Sequence, residues 1–90
     1  MARILIVDDE ESIRETLREI LDYEGYEIEE AGDGEKALNL IKKFNYDVVL
    51  ADIKMPKLDG LELLEKAKEI APELPFIMIS GHGTMETAVE

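Results

Sequence analysis

Acidic side chains follow two short apolar runs, at the points where those runs end. Residues 4–7 lead into Asp8 and Asp9, and residues 48–51 lead into Asp52. Apolar runs of this length are typical of buried strands, and parallel strands bring their carboxyl ends to one edge of a sheet. Carboxylates gathered there would repel one another unless a cation joined them, and hard oxygen ligands suit Mg²⁺. The sequence therefore predicts a divalent-metal pocket centred on Asp52, the candidate reactive group.

Other polar and turn-forming residues accompany this predicted pocket. Residues 75–79 form a further apolar strand that ends in Ser80, which places a hydroxyl at the rim of the same sheet edge. Pro56 and the pair Asp59–Gly60 follow the third strand closely and predict a turn there. We expect direct chemistry from Asp52, with the Ser80 hydroxyl at the rim of the pocket.

The elements that must position these groups are visible in the spacing of apolar residues. Residues 26–30 alternate polar and apolar side chains, which predicts a strand wet on one face at a sheet edge. Three segments with apolar residues every three or four positions predict amphipathic helices, with the faces Ile13/Leu17/Ile20/Leu21, Ala37/Leu38/Ile41/Phe44 and Leu61/Leu64/Ala67/Ile70. Strands that alternate with helices favour an α/β fold, with a mostly parallel sheet covered by helices on both faces.

Composition narrows the possible functions. The 90 residues suffice for one domain, and the net charge of −12 argues against direct binding to nucleic acid or to an anionic membrane surface. The chain has no cysteine, and we find neither a signal peptide nor a membrane-spanning segment in the sequence. These features lead us to expect a cytoplasmic protein.

Taken together, these motifs resemble the receiver domain of two-component response regulators. The matching features are the Asp8–Asp9 pair after strand 1, Asp52 followed by Lys54-Met55-Pro56, the Asp59–Gly60 turn and Ser80 after strand 4. The resemblance implies a flavodoxin-like doubly wound parallel sheet with strand order 2-1-3-4. Receiver domains also have a fifth strand and a fifth helix, for which residues 1–90 leave no room. We therefore expect an incomplete receiver domain that ends within helix 4.

The resemblance also implies a role for each site residue. Asp52 would accept a phosphoryl group from a sensor histidine kinase, and Ser80 would hydrogen-bond that group. Mg²⁺ would be held by Asp9 and Asp52 directly, by Asp8 through water and by the backbone carbonyl of Lys54. Phosphorylation would then switch an attached or partner output domain, so that the chain acts as a signalling module rather than as an enzyme.

Two further expectations concern partners. Residues 80–84 resemble receivers of nitrogen-regulatory-type transcriptional activators, which would make the output domain a DNA-binding ATPase. Without a fifth strand, strand 4 would be an exposed apolar edge, so that two copies would pair through it or exchange elements.

The residues also exclude several other classes of function. An aspartate-nucleophile phosphatase needs an acid where Lys54 stands, a phosphate-cradling module would be repelled by residues 8–11, and a calcium loop is interrupted by Lys54 and Pro56. The alternative left open is an interaction or dimerisation module of the same fold that has lost phosphorylation.

Overall fold

The computed structural model describes residues 1–79, in which four strands alternate with three helices. The elements are β1 (Arg3–Val7), α1 (Glu11–Tyr23), β2 (Glu27–Ala31), α2 (Gly34–Lys43), β3 (Val48–Asp52), α3 (Gly60–Ile70) and β4 (Phe76–Ile79). Every strand and helix that the sequence predicted within this range is present, and the boundaries differ by one or two residues. The predictions on Ser80 and on a fourth helix lie outside the described residues.

The four strands form one parallel sheet with the order β2-β1-β3-β4. This confirms the expected flavodoxin-like arrangement. β2 lies at one edge, as its alternating sequence predicted. In the pairing of β1 with β3, Val7 is level with Ala51. The residues that follow these two are Asp8 and Asp52, so the strand register itself brings the two acids to the same height in the sheet.

The main core lies between the sheet and the pair α2 and α3, which pack against each other. Leu5 and Val7 of β1 belong to this core, whereas Ile4 and Ile6 are buried on the opposite face, as alternation along a strand requires. α1 packs on β1 and β2 without contributing to the core of the other face. Helices therefore cover both faces, which makes the sheet doubly wound.

The predicted helix faces were right in direction and wrong in some members. Leu63 of α3 is fully buried, whereas Leu61 is 52% exposed and Ile70 is also exposed. Phe44 lies beyond the end of α2 and is exposed, and Ile20 of α1 is exposed as well. The reason is geometric, because a helix presents one narrow stripe to the sheet and residues at its ends point past the sheet margin.

Three residues at helix ends begin or end the helices through specific backbone contacts or conformations. Asp33 is the N-cap of α2 and accepts a hydrogen bond from the Lys36 amide at 2.7 Å. Asp59 is the N-cap of α3 and forms a capping box with Glu62. Gly25 ends α1 with a φ of 93°, a value that favours glycine.

Within residues 1–79, β4 pairs with β3 on one side only, and dimerisation through its other edge stays a prediction. Among residues 1–79, we find no helix with the length and apolar character that a membrane span requires.

Candidate functional site

The structure brings the three predicted aspartates together at the carboxyl edge of the sheet. Asp52 is the last residue of β3, and Asp8 and Asp9 follow β1. One carboxylate oxygen from each of Asp8, Asp9 and Asp52 lies within 4.8 Å of the other two. Asp8 and Asp52 are buried and Asp9 is exposed. The cluster is therefore open to solvent on the Asp9 side and enclosed by protein behind the other two acids.

Asp8 is held in place at three atoms. Its amide donates to the Ala31 carbonyl at 3.2 Å, and its carboxylate accepts from the Glu10 amide at 2.8 Å. Its own carbonyl accepts a hydrogen bond from the Arg14 guanidinium at 2.7 Å. The side chain is only 5% exposed. Burial is the main cause that raises the pKa of Asp8, and the charges of Asp52 and Asp9 add to it.

The raised pKa of Asp8 shows that the ionised form of this carboxyl group is disfavoured in the cluster when no cation is bound. The hydrogen bond from the Glu10 amide favours the ionised form, yet the pKa of Asp8 remains above its usual value. Neighbouring carboxylates that are poorly hydrated disfavour each other's charge. A divalent cation would remove this penalty, and carboxylate oxygens are the ligands that Mg²⁺ prefers. The donor set and its spacing thus fit Mg²⁺.

Asp52 is 7% exposed and is supported from the loop that follows β3. The Lys54 amide donates to the Asp52 carboxylate at 3.3 Å. The backbone of Asp52 is packed tightly against α3, since a Cβ built on Gly60 would lie 2.3 Å from the Asp52 carbonyl oxygen. The start of α3 is therefore in direct contact with the candidate reactive residue.

The loop between β3 and α3 is short and well anchored. The Gly60 amide donates to the Ile53 carbonyl at 3.0 Å, and Met55 of this loop is buried in the core. Lys57 has a φ of +68°, a left-handed conformation that is uncommon for residues other than glycine. These constraints place Lys54 beside the acidic cluster. Its backbone carbonyl, predicted as a metal ligand, remains a prediction.

The sequence interpretation missed an ionic network behind Asp8. Arg14 and Arg18, one helical turn apart on α1, both donate to Glu30 of β2. Hydrogen bonds from both arginines lower the pKa of Glu30, with that from Arg18 the larger cause. The signal available in the sequence was two arginines four positions apart beside the apolar stripe of α1, opposite an acidic strand.

Comparisons with known proteins extend the picture beyond the local geometry. Over 87 residues the chain is 39% identical to the response regulator MprA of Mycolicibacterium vanbaalenii. That alignment covers 97% of this chain and 38% of MprA, so the chain spans about two-fifths of the curated relative. A CheY-like receiver domain from Methanospirillum hungatei superposes with a TM-score of 0.87 at 40% identity, over 93% of this chain and 67% of the other.

The response regulator TrrA of Thermotoga maritima is similar in two solved structures. In complex with Mg²⁺-BeF it is 43% identical, with a TM-score of 0.87 over 92% of this chain and 72% of that one. The second is a complex with the histidine kinase ThkA, at 41% identity and a TM-score of 0.87, which covers 98% of this chain and 76% of the other.

Residues 4–90 match the response regulator receiver domain family, which is nearly the whole chain. The fold, the strand order and the acidic cluster all agree with that match. The chain belongs to the receiver domain family of two-component response regulators.

Proposed function

We propose that this chain is a phosphoacceptor that takes a phosphoryl group onto Asp52 in the presence of Mg²⁺. The main support is the cluster of Asp8, Asp9 and Asp52, whose carboxylate oxygens approach within 4.8 Å at the carboxyl edge of the sheet. Carboxylates at this spacing can hold a divalent cation, which would keep the reactive Asp52 carboxylate next to the metal. The Mg²⁺-BeF complex of the relative TrrA is further support.

The reaction assigned to Asp52 is an in-line transfer. A carboxylate oxygen of Asp52 attacks the phosphorus of a phosphohistidine, the O–P bond forms as the N–P bond breaks, and the histidine nitrogen keeps the electron pair. The product is an acyl phosphate on Asp52 and a histidine that acquires a proton from water. Asp52 is held for this step by the Lys54 amide and by the tight contact with Gly60.

The other acids hold the metal rather than react. Asp9 and Asp52 would bind Mg²⁺ directly, Asp8 through water and Lys54 by its backbone carbonyl. When bound, the metal supplies positive charge that neutralises the carboxylates and the incoming phosphoryl oxygens. Ser80, outside the described residues, is proposed to donate a hydrogen bond to the transferred group. In this scheme the chain is phosphorylated and later loses the phosphoryl group, and it does not act as an enzyme.

The proposed partners follow from the family and from its solved complexes. The structure of TrrA with the histidine kinase ThkA supports a sensor histidine kinase as the phosphoryl donor. The greater length of MprA supports an output domain beside the receiver. A DNA-binding ATPase as that output domain, and a cytoplasmic location, remain predictions.

Incubation with acetyl phosphate and Mg²⁺, followed by intact mass measurement, tests the proposal. We expect one phosphoryl adduct, which Asp52→Asn removes and excess chelator prevents. Asp47→Asn is the matched control. Asp47 lies at the other end of β3, just before its first residue, and its carboxylate accepts a hydrogen bond from the Arg3 amide at 2.7 Å. The control should retain the adduct.

The opposite results are equally informative. An adduct that survives Asp52→Asn would assign the reaction to another residue. The absence of any adduct on folded protein that binds Mg²⁺ would favour the interaction module without phosphorylation.

A further inference from the structure

We propose that Arg14 is a positioning residue for the metal site, acting through the backbone carbonyl of Asp8. This inference rests on the proposed function, since it assigns a role toward the same Mg²⁺ site. Arg14 is not itself one of the proposed Mg²⁺ ligands. Its guanidinium donates to the Asp8 carbonyl at 2.7 Å and to the Glu30 carboxylate at 3.1 Å.

The first step concerns what fixes Asp8. The residue lies where β1 ends and α1 has not yet begun, so regular strand or helix hydrogen bonds do not hold its carbonyl. A buried carbonyl without a partner is costly, and the Arg14 guanidinium supplies that partner with a charge-assisted bond. Arg14 is placed for this because helical side chains lean toward the N-terminus of their helix.

The second step concerns what fixes Arg14. Its side chain is 17% exposed, against 46% for Arg18. Glu30 accepts a hydrogen bond from each of these arginines, and Arg18 also donates to the Ile28 carbonyl at 3.2 Å. The guanidinium of Arg14 also runs past Gly32, where an added Cβ would meet it at 3.5 Å. Glu30 of β2 and the backbone at Gly32, just after β2, thus both lie against the Arg14 guanidinium.

The two arginines provide their own control. Both are on α1, both bind Glu30 and both carry the same charge, but among residues 1–79 only Arg14 donates to the Asp8 carbonyl. Loss of the Asp8 contact should loosen the turn that carries Asp8 and Asp9. Loss of Arg18 should weaken only the attachment of α1 to β2.

Positioning and simple electrostatics predict opposite signs for Mg²⁺ binding. Removing a positive charge near a cation site should by itself tighten Mg²⁺ binding. Removing a residue that orients the ligands should weaken it, and outer partners of metal ligands are worth about 10–100-fold in affinity. We expect Arg14→Gln to raise the Mg²⁺ dissociation constant about tenfold, and Arg14→Lys to raise it by a smaller factor.

The experiment is a Mg²⁺ titration of the protein followed by ¹H–¹⁵N NMR, with Arg14→Gln, Arg14→Lys, Arg18→Gln and Arg18→Lys. Thermal unfolding of each variant identifies a temperature at which all of them are folded. A second readout without metal is hydrogen exchange at the Glu10 amide, which donates to Asp8. We expect faster exchange at this amide in the Arg14 variants and no change in the Arg18 variants.

The outcomes separate this inference from the proposed function. Weaker Mg²⁺ binding confined to the Arg14 variants supports positioning. Wild-type or tighter binding in Arg14→Gln, or equal losses in the Arg18 variants, would overturn it. Failure of the wild-type protein to bind Mg²⁺ would overturn the proposed metal site instead, while the exchange measurement would still test whether Arg14 orders the turn.

Discussion

Gly60 is the position where a single methyl group should disturb both stability and chemistry. A Cβ at this position would lie 2.3 Å from the Asp52 carbonyl oxygen and 3.1 Å from the Ile53 Cα. The first contact must lengthen by at least about 0.7 Å to reach 3.0 Å, a separation that is still tight. The backbone atoms involved belong to a buried strand end and cannot rotate away as a flexible side chain would.

The expected magnitude for Gly60→Ala combines two opposed contributions. Overpacking typically costs about 1–3 kcal/mol, whereas Gly→Ala in a compatible conformation gains about 0.4–1 kcal/mol from the unfolded state. We therefore expect a loss of about 1.5 kcal/mol in the free energy of unfolding. For a domain of this size that corresponds to a fall in Tm of about 6–12 °C. The displaced Asp52 should also slow phosphoryl uptake about 10–100-fold, because misplacement near 1 Å has effects of that size.

The assay compares Gly60→Ala with Gly32→Ala at the same edge of the sheet. A Cβ on Gly32 would meet only the Arg14 side chain, at an ordinary 3.5 Å, so this control should be within about 0.5 kcal/mol of wild type. Urea unfolding gives the stabilities, and the rate of adduct formation from acetyl phosphate is measured where both variants are folded. Wild-type stability and rate in Gly60→Ala would refute the claim that α3 is packed rigidly against Asp52.

Three further predictions address the cluster, the loop and the ionic network. Asp8→Asn keeps an acceptor for the Glu10 amide but removes a buried charge, so it should raise the free energy of unfolding of the metal-free protein in urea and weaken Mg²⁺ binding; a lower free energy of unfolding in chelator would contradict this. Lys57→Gly should stabilise by about 0.5 kcal/mol and Lys57→Val should destabilise by about 1 kcal/mol or more, because φ is +68°; equal stabilities would show that the backbone there is unstrained. The pKa of Glu30 is lowered from 4.5, so the stability that separates wild type from Glu30→Gln should be full above that pH and disappear as pH falls through the lowered pKa; a difference independent of pH would argue against the ion pairs.

The sequence was informative where a single physical requirement decides the outcome. Residues 4–7 and 48–51 are apolar throughout, as a strand buried on both faces requires, and each leads directly into acids. The parallel sheet, with Asp8, Asp9 and Asp52 at the carboxyl ends of its strands, follows from those features. That the three acids meet also requires β1 and β3 to be neighbours. The strand order came from the family resemblance, because neither apolar pattern says which strands are neighbours.

The sequence was less informative where tertiary contacts choose among equivalent residues. Leu61 and Leu63 of α3 are both apolar, and only the direction in which α3 leaves the capping box at Asp59 makes Leu63 the buried one. Arg14 and Arg18 look alike in sequence, and their difference appears only when β1, α1 and β2 are assembled. Side-chain identity gave the chemistry of these residues, while the assembled fold gave their partners.

Backbone contacts support the two buried acids of the cluster. Asp8 is held at its amide, its carbonyl and its carboxylate, and Asp52 is held by the Lys54 amide and by the contact with Gly60. Burial, and to a smaller extent the charges of Asp52 and Asp9, raise the pKa of Asp8, so the ionised carboxylates are disfavoured together when no cation is bound. Rigid backbone support keeps the carboxylates together before any cation arrives, so that binding energy is not used to gather them. A variant that loosens the support should therefore lower the Mg²⁺ affinity. In the metal-free protein, the same variant should let the carboxylates move apart, which reduces their mutual repulsion.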